Sequence, residues 1–334
     1  MIKVEGETIM VMPAELGQNG NADRTTPEYI WTEGELVPFE QATVHVLSPT
    51  LHYGVGVIEG IRAYSTARGP AVFRLQEHMH RFLNSARSLG FSPDALGYDQ
   101  EELRVAVHRV VHANRLNDCY IRPILYLSGP LQLILDRHRP VVSIAAWKWG
   151  SLMGSDAIEM GIRAMVSSYT RLHPNANLTK SKITGQYANA VQSRTLAARA
   201  GFDEAIMLDA EGYVTAGTTQ NLFIVMDDEL YTSPGDSYVE GITRDSVMKL
   251  ANDLGYKVTR RKLARDMLYA ADEVFICGTA TEVVSVREID FRMVGNGRVG
   301  NVTRRLQQLY YETVRGRGLR SAEWLDYVVG ESVL

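Results

Sequence analysis

The chain is poor in cysteine, has no excess of basic charge and lacks any long apolar run. Two cysteines in 334 residues, Cys119 and Cys277, exclude a disulfide scaffold and a zinc site built from cysteine. Both read as small buried core thiols. The 39 acidic residues outnumber the 35 basic ones, for a net charge of −4, so the electrostatic footprint of a nucleic-acid binder is missing. No window reaches the roughly 18 apolar residues that span a bilayer. Residues 1–20 carry Glu5, Glu7 and Glu15, where a secretory leader needs positive charge. The expectation is a cytoplasmic protein with no nucleic-acid or membrane partner. His45, His52, His78 and His80 fit no metal-ligand spacing, so no metal is expected. Also absent are a dinucleotide fingerprint, a P-loop and a G-x-S-x-G elbow; Gly54-Val55-Gly56 stands alone.

Apolar residues at 45% and charged residues at 22% suffice for packed cores, and the length suits two domains. Residues 1–27 read as an N-terminal extension with a polar loop at Gly17–Asn21. Strands are expected at Thr43–Leu47, Val72–Leu75, Cys119–Leu127 and Val141–Trp147. Phe82, Leu83, Ala86 and Leu89 share a helical face ending at Gly90, and Leu103, Val107, Val110 and Val111 mark a second helix. Gly129–Pro140 reads as a linker, which divides the chain into a small domain at 28–140 and a large one at 141–334. The large domain alternates strands (162–167, 205–208, 222–225, 273–277, 283–286) with helices (186–200, 243–254, 301–314). Partial segregation of strands and helices favours an α+β class.

Three stretches carry chemistry. Leu178–Tyr187 reads LTKSKITGQY, and a lysine there can form a Schiff base with a carbonyl. Taken alone, Lys180 and Lys182 also fit a plain surface helix start. Glu240–Asp245 reads EGITRD. It places free backbone N–H groups and a hydroxyl at an electropositive helix end, or simply uses Thr243 as an N-cap. Cys277–Thr281 reads CGTAT, a small-residue turn able to present amides to an anion. A lysine and two anion cups suit a phosphorylated carbonyl cofactor.

His52-Tyr53-Gly54, Glu59-Gly60-Ile61-Arg62, Glu77–Arg81, Tyr120-Ile121-Arg122-Pro123, Trp149-Gly150, Lys182–Tyr187, Asn221-Leu222-Phe223, Gly241–Asp245, Ala271–Phe275 and Gly278-Thr279-Ala280 follow one another in order. This series resembles the fold-type IV pyridoxal phosphate (PLP) enzymes, specifically the branched-chain aminotransferases, from Tyr29 to about Asp326. The resemblance implies a two-domain α+β architecture like that of D-amino acid aminotransferase. It also implies PLP between the domains and a homodimer or higher oligomer. The implied reaction is transamination between a branched-chain or related apolar amino acid and a 2-oxo acid such as 2-oxoglutarate. Lys182 matches the catalytic lysine and Tyr187 the tyrosine near the cofactor's phenolic oxygen. Arg81, Ile242, Thr243 and Thr279 match the phosphate cup. Tyr53, Arg122, Trp149, Thr279 and Ala280 match the substrate side.

Four departures stand out. Ala216, in Thr215-Ala216-Gly217-Thr218-Thr219-Gln220-Asn221-Leu222-Phe223, occupies the cofactor-binding position where the family pattern has a glutamate against the pyridine nitrogen. Ile58 replaces a pocket phenylalanine on the substrate side, Leu152 replaces a tyrosine, and Pro130–Pro140 has little family likeness. Glu211 is an acid near enough in sequence to stand in for the missing one. The alternative is a PLP enzyme of another carbanion reaction, such as a lyase or racemase. A non-enzymatic PLP-binding protein is a further reading, against which intact Lys182, Tyr187 and Arg122 argue.

Overall fold

The computed structural model of the chain describes residues 2–4, 7–9, 26–235 and 237–330. The polar run at Gly17–Asn21 lies outside them. Ile2–Val4 and Glu7–Ile9 form a short antiparallel ladder.

Residues 29–147 build an antiparallel sheet. Its order is Leu325–Tyr327, Gly69–Phe73, Ile61–Thr66, Cys119–Ser128, Arg139–Trp147, Tyr29–Thr32 and Glu35–Pro38, with Val57–Ile58 also on Cys119–Ser128. From Ile121 onward the strand Cys119–Ser128 alternates buried and half-buried positions, as period-2 geometry requires of a sheet covered on one face. The cover is two helices, Leu75–Leu89 and Gln100–Ala113. Met79, Phe82, Leu103, Val107 and Val110 pack with Ile61, Val72, Ile121, Leu125 and Ile144 in one core. Asp99 and Glu102 close a reciprocal capping box on the second helix.

Three expectations change here. Thr43–Leu47 is not a strand: it runs into the short helix Pro49–Tyr53. Val44, Val46 and Leu47 are exposed, so β-branched residues found no partner strand to make their propensity count. Gly129–Pro140 is not a linker between domains but the connection of a hairpin. The strands on either side pair directly, from Tyr120 against Trp147 to Ser128 against Arg139. A β-rich composition identifies two strands without telling whether they share a sheet. The division expected at 140 therefore cuts the strand Arg139–Trp147. The chain leaves this sheet after Trp147, and Leu325–Tyr327 returns to it against Ala71–Phe73.

The second sheet runs Val214–Ala216, Glu204–Leu208, Ile162–Val166, Glu282–Ile289, Glu273–Gly278, Asn221–Met226, Glu229–Thr232 and Val258–Arg260. Ile162–Val166 pairs in parallel with both its neighbours. Ala216 also pairs with Asn221, which closes six of the strands into a ring. Alternate side chains go to different cores. Ile206, Leu222, Ile224, Ile276 and Val284 share one. Phe223, Val225, Phe275 and Cys277 join a second one with Val247 and Leu250 of the helix Ile242–Asp253 and Leu306 and Tyr310 of Asn301–Val314. Cys119 and Cys277 are buried, and burial pushes each thiol up to about 12, in keeping with inert core thiols.

Candidate active site

A cavity of about 340 Å³ lies between the two sheets. Its lysine wall is built by backbone pairing. The Ile58 amide donates to the Lys182 carbonyl at 3.0 Å, Val57 bridges Ile183, and the Thr184 amide donates to the Gly56 carbonyl at 3.0 Å. Gly54 and Gly185 meet so closely that a Cβ on Gly54 would lie 2.7 Å from the Gly185 Cα. The lysine segment is thus an extra rung on the first sheet, followed by the helix Tyr187–Arg199.

Lys182 Nζ donates to the Tyr187 hydroxyl at 2.7 Å, and both residues line the cavity. Burial raises the Tyr187 pKa, but the neighbouring Lys182 and then Arg122 outweigh it and hold the phenol below its ordinary value. Lys180 faces elsewhere: its Nζ donates to the Gly235 carbonyl and it is absent from the lining.

The segment expected to form an anion cup lies at the start of the helix Ile242–Asp253. Gly241 is its N-cap and supplies no side chain, so Thr243 is not the cap. Ile242 and Thr243 line the cavity, where the first-turn amides have no intrahelical acceptors. A Cβ on Gly241 would collide with Asn221 Oδ1, which explains a glycine there. Arg81 faces the same corner. It grips the fully buried Glu59 through Nε at 2.6 Å and Nη2 at 2.8 Å, and its Nη1 donates to the Glu240 carbonyl at 3.0 Å. His78 Nδ1 lies 2.9 Å from the same carboxylate. Burial would raise the Glu59 pKa, but Arg81, chiefly, and His78 hold it well below the usual carboxylate range. Thr279 and Ala280 complete this side of the lining, and the Ala280 carbonyl accepts from the Leu152 amide at 3.1 Å.

On the facing wall Arg122 Nη2 donates to the Tyr120 hydroxyl at 2.8 Å, while its buried Nε has no partner. The Trp149 ring meets Tyr120 edge-on at 4.5 Å and stacks on Trp147 at 6.0 Å. Leu152 and Gly60 also line the cavity. Tyr53 and Ile58 do not: Tyr53 is exposed at a helix end, and Ile58 is buried in the sheet, where its backbone holds Lys182.

The last wall is the strand end at Ala216 and the turn Gly217–Gln220, with Arg171 beside it. Glu211 pairs with Lys262 at the surface and does not reach the lining. Glu59 and Gln220 lie in the quoted motifs without an assigned role, and Arg171 lies outside them. Glu59 had a signal, an acid inside the apolar stretch Val57–Ile61; the other two had none.

A family model described as amino-transferase class IV matches residues 56–289. The chain belongs to this family. It is 43% identical over 300 residues to a branched-chain-amino-acid aminotransferase of Pseudomonas aeruginosa, covering 90% of this chain and 97% of the relative. The corresponding Escherichia coli K12 protein is 42% identical over 305 residues, with the same coverage. The crystal structure of an Escherichia coli branched-chain amino acid aminotransferase superposes with a TM-score of 0.87 at 42% identity, over 91% of this chain and 100% of the other. A branched-chain amino acid aminotransferase from Thermobaculum terrenum, solved in its PLP form, gives 0.83 at 30% identity, over 94% and 100%. The sheets, closed ring and intervening cavity of this class IV aminotransferase are accordingly the fold-type IV architecture.

Proposed function

We propose that this class IV aminotransferase uses PLP to move an amino group between a branched-chain or related apolar amino acid and a 2-oxo acid such as 2-oxoglutarate. The contact between Lys182 and Tyr187 at 2.7 Å, inside a cavity that also holds a helix start without a side-chain cap, carries the reading. The residues fit the cofactor: an amine for its aldehyde, a phenol for its ring oxygen and free amides for its phosphate. PLP supplies the carbonyl that captures the amino group and the ring that draws electrons from the reacting carbon.

The chain's own residues do the rest. Lys182 would anchor the cofactor through its amine, and Nζ, when free, would take the proton from the substrate α-carbon as general base and return it as general acid to the carbon of the cofactor's carbonyl group. Tyr187, hydrogen-bonded to Lys182, keeps the amine oriented. Ile242 and Thr243 offer amides to the phosphate; Thr279 and Arg81 flank it, with Glu59 fixing the guanidinium. Arg122, with a donor to spare, takes the substrate carboxylate, and Trp149 and Leu152 form the apolar wall. The small domain at 28–147 and the large one at 148–324 enclose the reaction.

Borohydride reduction of the PLP-loaded enzyme followed by peptide mapping tests the anchor: the label is expected on Lys182, and a label on Lys180 overturns it. Incubation with leucine and 2-oxoglutarate is expected to yield the branched keto acid and glutamate. Any other product rejects transamination.

The same reading includes a cytoplasmic homodimer. Val46, Leu47, Leu51, Leu133 and Ile134 are exposed apolar side chains, and Ser48 ties the first segment to the strand end at Leu127. Exposed apolar side chains of this kind suit a surface that a second copy of the chain covers. Light scattering that returns a monomer overturns the assembly.

A further inference from the structure

The wall at Ala216–Gln220 is built from hydrogen-bond donors. Arg171 is tethered to it, its Nη2 donating to the carbonyls of Gly217 and, at 3.0 Å, Thr218. These are the two residues after Ala216. The Arg171 Nε is buried without a partner, and among the described residues no carboxylate forms an ion pair with this guanidinium. Gln220 is 3% exposed, and its Nε2 also lacks a partner. Its Oε1 accepts from the Thr219 amide at 3.1 Å, which fixes the side-chain amide with its donors facing away from that turn.

Resting on the reading that this cavity holds PLP, we propose that the ring nitrogen of the cofactor accepts a hydrogen bond from Arg171 and stays unprotonated.

Glu204 is the buried acid at this wall, and it is fully engaged. Its Oε1 accepts from the Ala205 amide at 2.8 Å, the Thr218 amide at 3.3 Å and the Thr218 hydroxyl at 2.7 Å; its Oε2 is paired with Arg194. It does not line the cavity. The Thr218 proton is spent on Glu204, so that hydroxyl has none to give the ring. The other titratable groups acting on Arg171 are Tyr187 and Tyr238, and the remaining charged side chains of the lining are Lys182, Arg81 and Arg122. None of them replaces a carboxylate. A protonated ring would place a second cation beside the guanidinium, and like charges disfavour that form. A neutral ring nitrogen instead offers a lone pair to a buried N–H that lacks an acceptor. Burial already makes Arg171 less willing to hold its charge, despite Glu204 nearby, so a partner that demands no further charge suits it.

The consequence is a cofactor with a muted electron sink, which leaves more of the work to the proton carried by Lys182.

The test is 15N NMR of the holoenzyme loaded with PLP labelled at the ring nitrogen. The expected wild-type resonance is that of an unprotonated, hydrogen-bonded pyridine, constant across neutral pH. Ala216→Glu is expected to shift it to the pyridinium position, and Arg171→Met to move it toward a pyridine without a donor. A pyridinium resonance in the wild type overturns the proposal, as does a resonance that Arg171→Met leaves unchanged. Should Arg171→Met fail to fold, 15N-arginine labelling of the wild type gives a second readout. The Arg171 Nε–H signal is expected to shift on adding PLP and not on adding the analogue with carbon in place of the ring nitrogen. Equal responses overturn the hydrogen bond. A wild-type protein that takes up no PLP at all rejects the cofactor reading itself, and is told apart from the other failures by the absent cofactor signal.

Discussion

The lysine wall and the Ala216 wall of one cavity are built on opposite plans. On the lysine wall charged groups have partners: Arg81 with Glu59, Glu59 with His78, Lys182 with Tyr187. At Ala216 the polar groups are left short, with Arg171 Nε and Gln220 Nε2 buried and unpaired. Buried polar atoms without partners are rare because each forfeits its hydration. A wall that satisfies itself is a scaffold; a wall that does not is waiting for a ligand or has lost a neighbour. Here an alanine stands where the resemblance implies an acid, so this wall holds buried donors without an acceptor beside them.

The largest effect that would separate the walls is at Lys182. Lys182→Ala is expected to cut turnover by about 10⁴-fold, at the upper end of what a proton-transfer group contributes, while Lys180→Ala leaves it unchanged. Single-turnover kinetics with leucine measures both. Next is Glu59→Gln, which leaves the Arg81 charge without its buried partner. A loss of about 3–5 kcal/mol in urea unfolding is expected, with weakened PLP retention after dialysis. A stability near wild type would mean that the lysine wall is less integrated than its hydrogen bonds imply.

Third, Ala216→Glu places an acid on the Ala216 wall. It is expected to raise the half-reaction rate on the order of a hundredfold, the scale of one preorganised electrostatic contact, as followed by stopped flow. The smallest effect is on the pH dependence of folding. Tyr187 ionises below its ordinary value in the folded chain. An acid with a depressed pKa contributes stability that is complete above its unfolded value, about 10 for tyrosine, and is lost as pH falls through the folded value. Stability of the cofactor-free protein therefore gains from Tyr187 between those limits, and Tyr187→Phe is expected to flatten that rise in urea midpoints.

Helices such as the one with Phe82, Leu83, Ala86 and Leu89 before Gly90 were legible because their period was clean, whereas Cys119–Leu127 was legible from its β-rich composition, its alternation appearing only in the burial. Thr43–Leu47 misled because propensity cannot supply a partner strand. Gly129–Pro140 misled because loop composition is the same between hairpin strands as between domains. In the site, Lys182, Tyr187 and the helix start at Gly241 lie within short segments, where spacing speaks. Arg171 reaches the Ala216 wall from a remote stretch of chain through carbonyls of a turn, and no local pattern encodes such a contact. Ile58 entered as a side chain of the pocket, yet its described contribution is a backbone amide to Lys182.

Lys182 comes from the chain of one half but is stitched to the other. Three backbone hydrogen bonds, to the carbonyls of Gly54 and Gly56 and from the amide of Ile58, fasten its segment to the first sheet, while Tyr187 opens the helix that follows the segment into the second half. The Lys182 segment therefore works as a rivet. A hinge motion that parted the halves at this point would have to break those hydrogen bonds, and with them the seating of Lys182 beside Tyr187.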